Sequence, residues 1–112
     1  MSTVGRKEKE GKPDWTLLPF VPIEEVVQVL TLGAKKYSRD NWMNVSQLDY
    51  EAAAMRHMSK HMQGIEFDKE SGQSHLSHAI CNMLFVMELK RLKNISQDDL
   101  IKERTPWERI IL

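Results

Sequence analysis

The segment from His75 to Lys93 constrains this chain more than any other. Apolar residues recur there at helical spacing, through Leu76, Ala79, Ile80, Met83, Leu84 and Met87, and predict a helix that turns this face to a core. Ser74 stands where it can cap the first turn, and Lys90, Arg91 and Lys93 end the segment with positive charge that suits the helix dipole. One stripe of the same helix is polar. His75, His78 and Asn82 are spaced so that their side chains stack along one face, aimed inward or at a cleft. An amide in mid-helix among apolar neighbours costs stability unless it is hydrogen-bonded, so the stripe is the first candidate for a functional site.

Two further main helices are expected. Pro22 suits a first turn, Glu24 and Glu25 follow where carboxylates complement the dipole, and the apolar run Val26, Val27, Val29, Leu30 and Leu32 leads to about Tyr37, with Gly33 read as a point of close helix packing. Ser46-Gln-Leu-Asp49 is a shortened-acid capping box for a second helix, which Gly64 stops. Ser96-Gln-Asp-Asp99 repeats that logic for a short fourth helix ending before Thr105-Pro106. The apolar tail Trp107, Ile110, Ile111 and Leu112 is expected to dock on this chain or on a partner. Residues 1–11 read as a flexible polar arm, and residues 12–112 as one helical domain. Within it Pro13, Pro19 and Pro22 make the stretch from Lys12 an extended strap across a helix pair. The expected fold is all-α: a small bundle of three main helices plus a short C-terminal one.

A chain of 112 residues holds one core rather than two. Its 16 basic and 16 acidic side chains cancel, which argues against a nucleic-acid polymer as partner but leaves room for a small anionic ligand. No run of apolar residues is long enough to span a membrane, the N-terminus lacks the apolar core of a secretory signal, and Cys81 has no cysteine to pair with, so a cytoplasmic setting is expected.

Three groups of side chains carry chemistry. Glu24, Glu25 and Gln28 lie on the first helix, where positions 25 and 28 share a face; with His78 and Asn82 they could meet a hard divalent ion, Mg²⁺ or Mn²⁺, that bridges phosphate oxygens. Gly33-Ala-Lys-Lys-Tyr37 and Asn41-Trp42 bring two cations, rings and an amide to a helix end, which suits a phosphate and a base. Arg56, His57, Lys60 and His61 form a basic face. The His57/His61 spacing can hold Zn²⁺, but without the Glu of His-Glu-x-x-His or a nearby Cys an anion contact is the better expectation.

Lys12-Pro-x-Trp-x-Leu-Leu-Pro, Glu24-Glu-Val, Leu30-Thr-x-Gly-Ala-Lys-Lys-Tyr, Asn41-Trp, Arg56-His and Glu70-Ser-Gly-x-x-His-Leu-x-His-Ala-x-x-Asn82 resemble the phage and bacterial dATP/dGTP diphosphohydrolase domain, over roughly residues 12–90. That domain is similar to the MazG-type all-α nucleotide pyrophosphohydrolases, usually dimers or tetramers, which use Mg²⁺ to cleave a nucleoside triphosphate between its α and β phosphates. The resemblance implies a homo-oligomer that completes the bundle and releases pyrophosphate and a nucleoside monophosphate. It implies Glu24, Glu25, His78 and Asn82 as holders of metal or its water shell, and Glu25 and His75 as catalytic groups. Lys12, Trp15, Lys35, Lys36, Tyr37, Asn41, Trp42, Arg56 and His57 would contact the nucleotide. Gln28 stands where a third MazG-type glutamate is expected, Asn82 replaces an aspartate and Ala79 a glutamate. His75 and His78, with Glu66, Asp68 or Glu70, are the groups left to restore ligands. The reduced acid set also fits a second reading, a non-catalytic sponge for cyclic or ADP-ribose-type immune signalling nucleotides.

Overall fold

The structure, a computed structural model, describes residues 11–94. Its elements are a 3-10 turn at Trp15–Leu17, helix α1 at Phe20–Lys36, a second 3-10 turn at Asn41–Asn44, helix α2 at Gln47–Met62 and helix α3 at His75–Lys93. Among the described residues there is no β-strand, only an isolated antiparallel bridge between Phe67 and Ser74. The fold is all-α, as the helical periodicity predicted. All but the last residue of the polar arm at 1–11, the fourth helix and the apolar tail lie outside the described residues.

Local signals set the helix ends. The Ser46 hydroxyl accepts the Asp49 N–H at 3.1 Å, and the Ser74 hydroxyl accepts the Ser77 N–H at 3.0 Å, so both expected caps form. At the end of α2, Gly64 takes φ +83°, which lets its N–H reach the His61 carbonyl and the Ile65 N–H reach the Lys60 carbonyl. This paired closure satisfies carbonyls that the helix can no longer bond. Helix α1 begins at Phe20, earlier than Pro22 suggested, because the first amides of a helix lack partners in any case and Pro22 sacrifices nothing there. As a result no acid lies in its first turn; Glu24 and Glu25 sit beyond the strongest part of the dipole.

Helix α3 is the hub, packed along α2 and more briefly against α1. Val26 and Val29 of α1 close on Cys81 of α3, with Leu30 and Phe85 at the margin. Phe85 also anchors the second 3-10 turn: the Trp42 ring stacks on it at 5.1 Å, and Tyr50, 4.9 Å away, donates its hydroxyl to the Trp42 carbonyl.

Three packing expectations need correction. Of the α3 residues expected in the core, Ala79 is buried, whereas Leu76, Ile80, Met83, Leu84 and Met87 are 38–67% exposed. The helix is apolar around much of its circumference, so periodicity could not say which side faces inward, and α1 and α2 cover the side carrying His75, Ser77, Ala79, Cys81 and Val86. Around Gly33 a Cβ would meet nothing within 4 Å, so this glycine does not mark close packing. In the proline strap, Leu17 is 80% exposed: Asp14 caps the local turn by accepting from Thr16, and the strap does not bury this leucine on the helices.

Candidate functional site

The linker between α2 and α3 is clamped onto the start of α3. The Phe67–Ser74 bridge, the His75 N–H on the Glu66 carbonyl at 2.8 Å and the Asp68 N–H on the Gln73 carbonyl at 2.8 Å fold it back on itself. Gly72, at φ +74°, makes the reversal that few other residues tolerate. Asp68 and Ser71 are thereby carried to the His75–His78 face of α3.

There three imidazoles meet. His57, from the middle of α2, and His75, the first residue of α3, are both buried, and their Nδ1 atoms face each other at 2.8 Å. The ring of His78 stacks on that of His57 with centroids 4.5 Å apart. Asp68 Oδ2 accepts both the backbone N–H and the hydroxyl of Ser71, at 2.9 and 3.0 Å. Ser71 Oγ is also hydrogen-bonded to His78 Nε2 at 2.6 Å. Because a hydroxyl has one proton and here gives it to Asp68, His78 is the donor in that second bond, which leaves its Nδ1 as a lone-pair nitrogen.

Burial, then the neighbouring imidazoles of His78 and His75 and the Arg56 charge, push His57 down to about 4, so its ring is neutral at physiological pH. Burial also lowers His78, against the opposing pull of Asp68. For Asp68 burial works toward a higher value, but the two Ser71 hydrogen bonds and the imidazoles outweigh it and hold the carboxyl below its ordinary range. Asn82, one turn on from His78, donates to the His78 carbonyl at 2.8 Å, which provides the partner that a mid-helix amide needs.

This cluster forms one wall of a cleft of about 1400 Å³. Lys36, Tyr37, Asn41, Trp42, Arg56, His57, His75, His78 and Asn82 all line it, so the structure brings together most of the polar candidates read from the sequence. Lys36 is ion-paired with Glu70 on the rim, which raises its already high pKa. Lys12, Trp15, Glu24, Glu25 and Lys35 do not line this cleft; Trp15 lines a separate shallow groove of about 260 Å³ beside the strap. Glu25 instead accepts the Ser77 hydroxyl at 3.2 Å, tying α1 to the first turns of α3. Ser71, which the sequence offers only as part of the Glu70-Ser-Gly motif, gains its role from this geometry. The available signal was Asp68-x-x-Ser71, a pairing in which the carboxylate accepts from a serine three residues on.

The donor set does not fit the magnesium implied by the resemblance. Mg²⁺ takes near-octahedral oxygen ligands. The acid pair Glu24 and Glu25 does not line the cleft, and the three groups there whose donor atoms converge, within 4.8 Å of one another, are His57, Asp68 and His75.

Sequence comparison supplies an independent line. The family described as "dATP/dGTP diphosphohydrolase, N-terminal" matches residues 2–99. A protein of Salmonella phage PMBT28 named dATP/dGTP diphosphohydrolase is 31% identical over 94 residues, which cover 84% of this chain and 32% of that relative. The chain therefore spans about a third of the length of the curated relative it matches. No solved structure matches it significantly.

Proposed function

The chain belongs to the dATP/dGTP diphosphohydrolase N-terminal family, and from that premise we propose that its cleft binds a purine deoxynucleoside triphosphate and hydrolyses it between the α and β phosphates, releasing pyrophosphate. The observation that carries the reading is the meeting, in one cleft, of four basic side chains (Lys36, Arg39, Arg56 and Lys60), the exposed Tyr37 and half-exposed Trp42 rings and the imidazole cluster. Arg56 and Lys36 offset phosphate charge, Lys36 by exchanging Glu70 for the ligand. Tyr37, 63% exposed, offers a face to the base, whereas Trp42 is already stacked on Phe85. In the attack of water on phosphorus, the water proton passes to the lone-pair Nδ1 of His78, whose ring is held by Ser71 and, through it, Asp68. The Mg²⁺ implied by the resemblance enters this reading only on the nucleotide's own phosphates. No step is assigned to it.

Full-length protein incubated with dGTP or dATP and Mg²⁺ or Mn²⁺ is expected to release pyrophosphate, followed by coupled assay. Absence of turnover with a nucleotide-induced melting shift that survives EDTA would favour the second reading, a binder that sequesters nucleotides, including cyclic or ADP-ribose-type signals. The position of Glu24 and Glu25 outside the cleft lining is the observation on that side.

Two copies of the chain complete the bundle in this proposal. Leu48, Met55 and Met62 repeat every two turns along α2 and are 73–76% exposed, and Ile80, Met83 and Met87 form an apolar stripe of their own on α3 at 43–67%. Exposed apolar stripes are costly in water, and pairing two copies about a two-fold axis would cover them. Light scattering coupled to size exclusion is expected to report a dimer or larger, and Met55→Glu with Met62→Glu to return it to monomer.

A further inference from the structure

We propose that His57, Asp68 and His75 form a three-ligand site for a divalent first-row transition ion of the zinc or ferrous class, with its open coordination positions turned to the cleft. The inference deepens the nucleotide-hydrolase reading and rests on it for the site's occupant, not for its ligands.

The geometry supports it at three levels. The first is convergence. One nitrogen from each of His57 and His75 and one carboxylate oxygen of Asp68 lie within 4.8 Å of one another, although they come from the middle of α2, the linker and the first turn of α3. The two Nδ1 atoms are 2.8 Å apart. Metal–nitrogen bonds of about 2.0–2.1 Å put neighbouring ligands roughly 3.0–3.4 Å apart, so a few tenths of an ångström of opening replaces the proton between the rings by a metal ion.

The second level is support. Metal-bound carboxylates and imidazoles are held by outer partners. Asp68 has both Ser71 donors on Oδ2, and the His78 ring lies flat on that of His57 and is tethered to the same serine. Ser71 itself is fixed by the Gln73 N–H on its Oγ at 3.1 Å. An arrangement needed only to satisfy two buried imidazoles would be complete with the His57–His75 bond and would not require an oriented carboxylate beside it.

The third level is selectivity. Two imidazole nitrogens and one carboxylate suit borderline ions such as Zn²⁺, Co²⁺ and Fe²⁺ over Mg²⁺ or Ca²⁺. Three protein ligands leave a position open for water or a phosphate oxygen, as catalytic rather than structural sites do. Lys36 and Arg56 line the same cleft, where a bound polyphosphate would meet both the ion and the cations. His61, which shares the zinc-like spacing with His57, is exposed and does not line the cleft.

The test uses the full chain stripped with EDTA and titrated with Co²⁺ and Zn²⁺, read by visible absorption, calorimetry and melting temperature. One Co²⁺ per chain, with d–d absorption and a raised melting temperature, is expected. Mg²⁺ at millimolar concentration should produce no shift and no displacement of cobalt. Ser71→Ala should weaken cobalt binding by about 10–100-fold, as loss of an outer partner does. Asp68→Asn should weaken it further, and His61→Ala should leave it within about twofold. His57→Ala removes a buried side chain whose loss also destabilises the fold, so the linker variants at Asp68 and Ser71 decide the matter. No cobalt absorption, equal binding by Asp68→Asn, or displacement by equimolar Mg²⁺ would each overturn the site. A dGTP-induced melting shift measured in EDTA alongside separates the two proposals: if it persists while cobalt fails to bind, the metal site falls and the nucleotide cleft stands.

Discussion

The acid pair Glu24–Glu25 on α1 and the imidazole cluster of His57, His75 and His78 look equally functional in one dimension, yet the fold treats them in opposite ways. The acids are exposed, sit outside the cleft lining, and spend one carboxylate on the Ser77 hydroxyl. The imidazoles come from two helices, two of them are buried, and the linker is folded against them to supply Asp68 and Ser71. Exposed carboxylates are cheap for a protein to keep; buried polar groups persist only with partners. The second arrangement therefore says more about where chemistry happens.

Substitutions in the two regions should separate them. If the cleft is the nucleotide site, Arg56→Ala is expected to lower kcat/KM by about 10²-fold, the scale of losing one charge-stabilising donor. Steady-state pyrophosphate release checks this, and loss of all turnover in Glu25→Ala with Arg56→Ala unaffected would reverse the comparison. In stability, His75→Ala strands the His57 nitrogen away from water and should cost about 2–3 kcal/mol, roughly 10–20 °C in Tm. Glu24→Ala should stay within about 0.5 kcal/mol, because it alters an exposed side chain. Denaturant melts of the two variants side by side give the contrast directly.

The α1–α3 seam, which holds the two regions at their separation, can be probed through Cys81. Burial raises this thiol from 9.0 to about 11, so the native protein should resist iodoacetamide at pH 8 and react on unfolding. A folded-state value above the unfolded one means that the contribution is intact below about pH 9. It is lost as pH rises toward 11, where the unfolded chain ionises first, a decline of up to about 2–3 kcal/mol. A Cys81→Ser variant should show a smaller decline across that interval.

Much of the fold was legible locally. The α3 boundaries, the Ser46 and Ser74 caps and the stop at Gly64 follow from side-chain hydrogen bonding and backbone freedom within a few residues, and the structure repeats them. The polar stripe on α3 was legible for the same reason: spacing alone puts His75, His78 and Asn82 on one face. Tertiary structure alone decided which side of a helix apolar around much of its circumference turns inward, and so left Met83 and Met87 exposed where periodicity had placed them in the core. It also decided that His57 meets His75 rather than His61, and that the linker returns to set Asp68 and Ser71 beside them. Local sequence governs interactions within a turn or two of helix. The site joins residues of α2, the linker and α3, and their meeting depends on how the helices pack and how the linker closes, which no short-range pattern encodes.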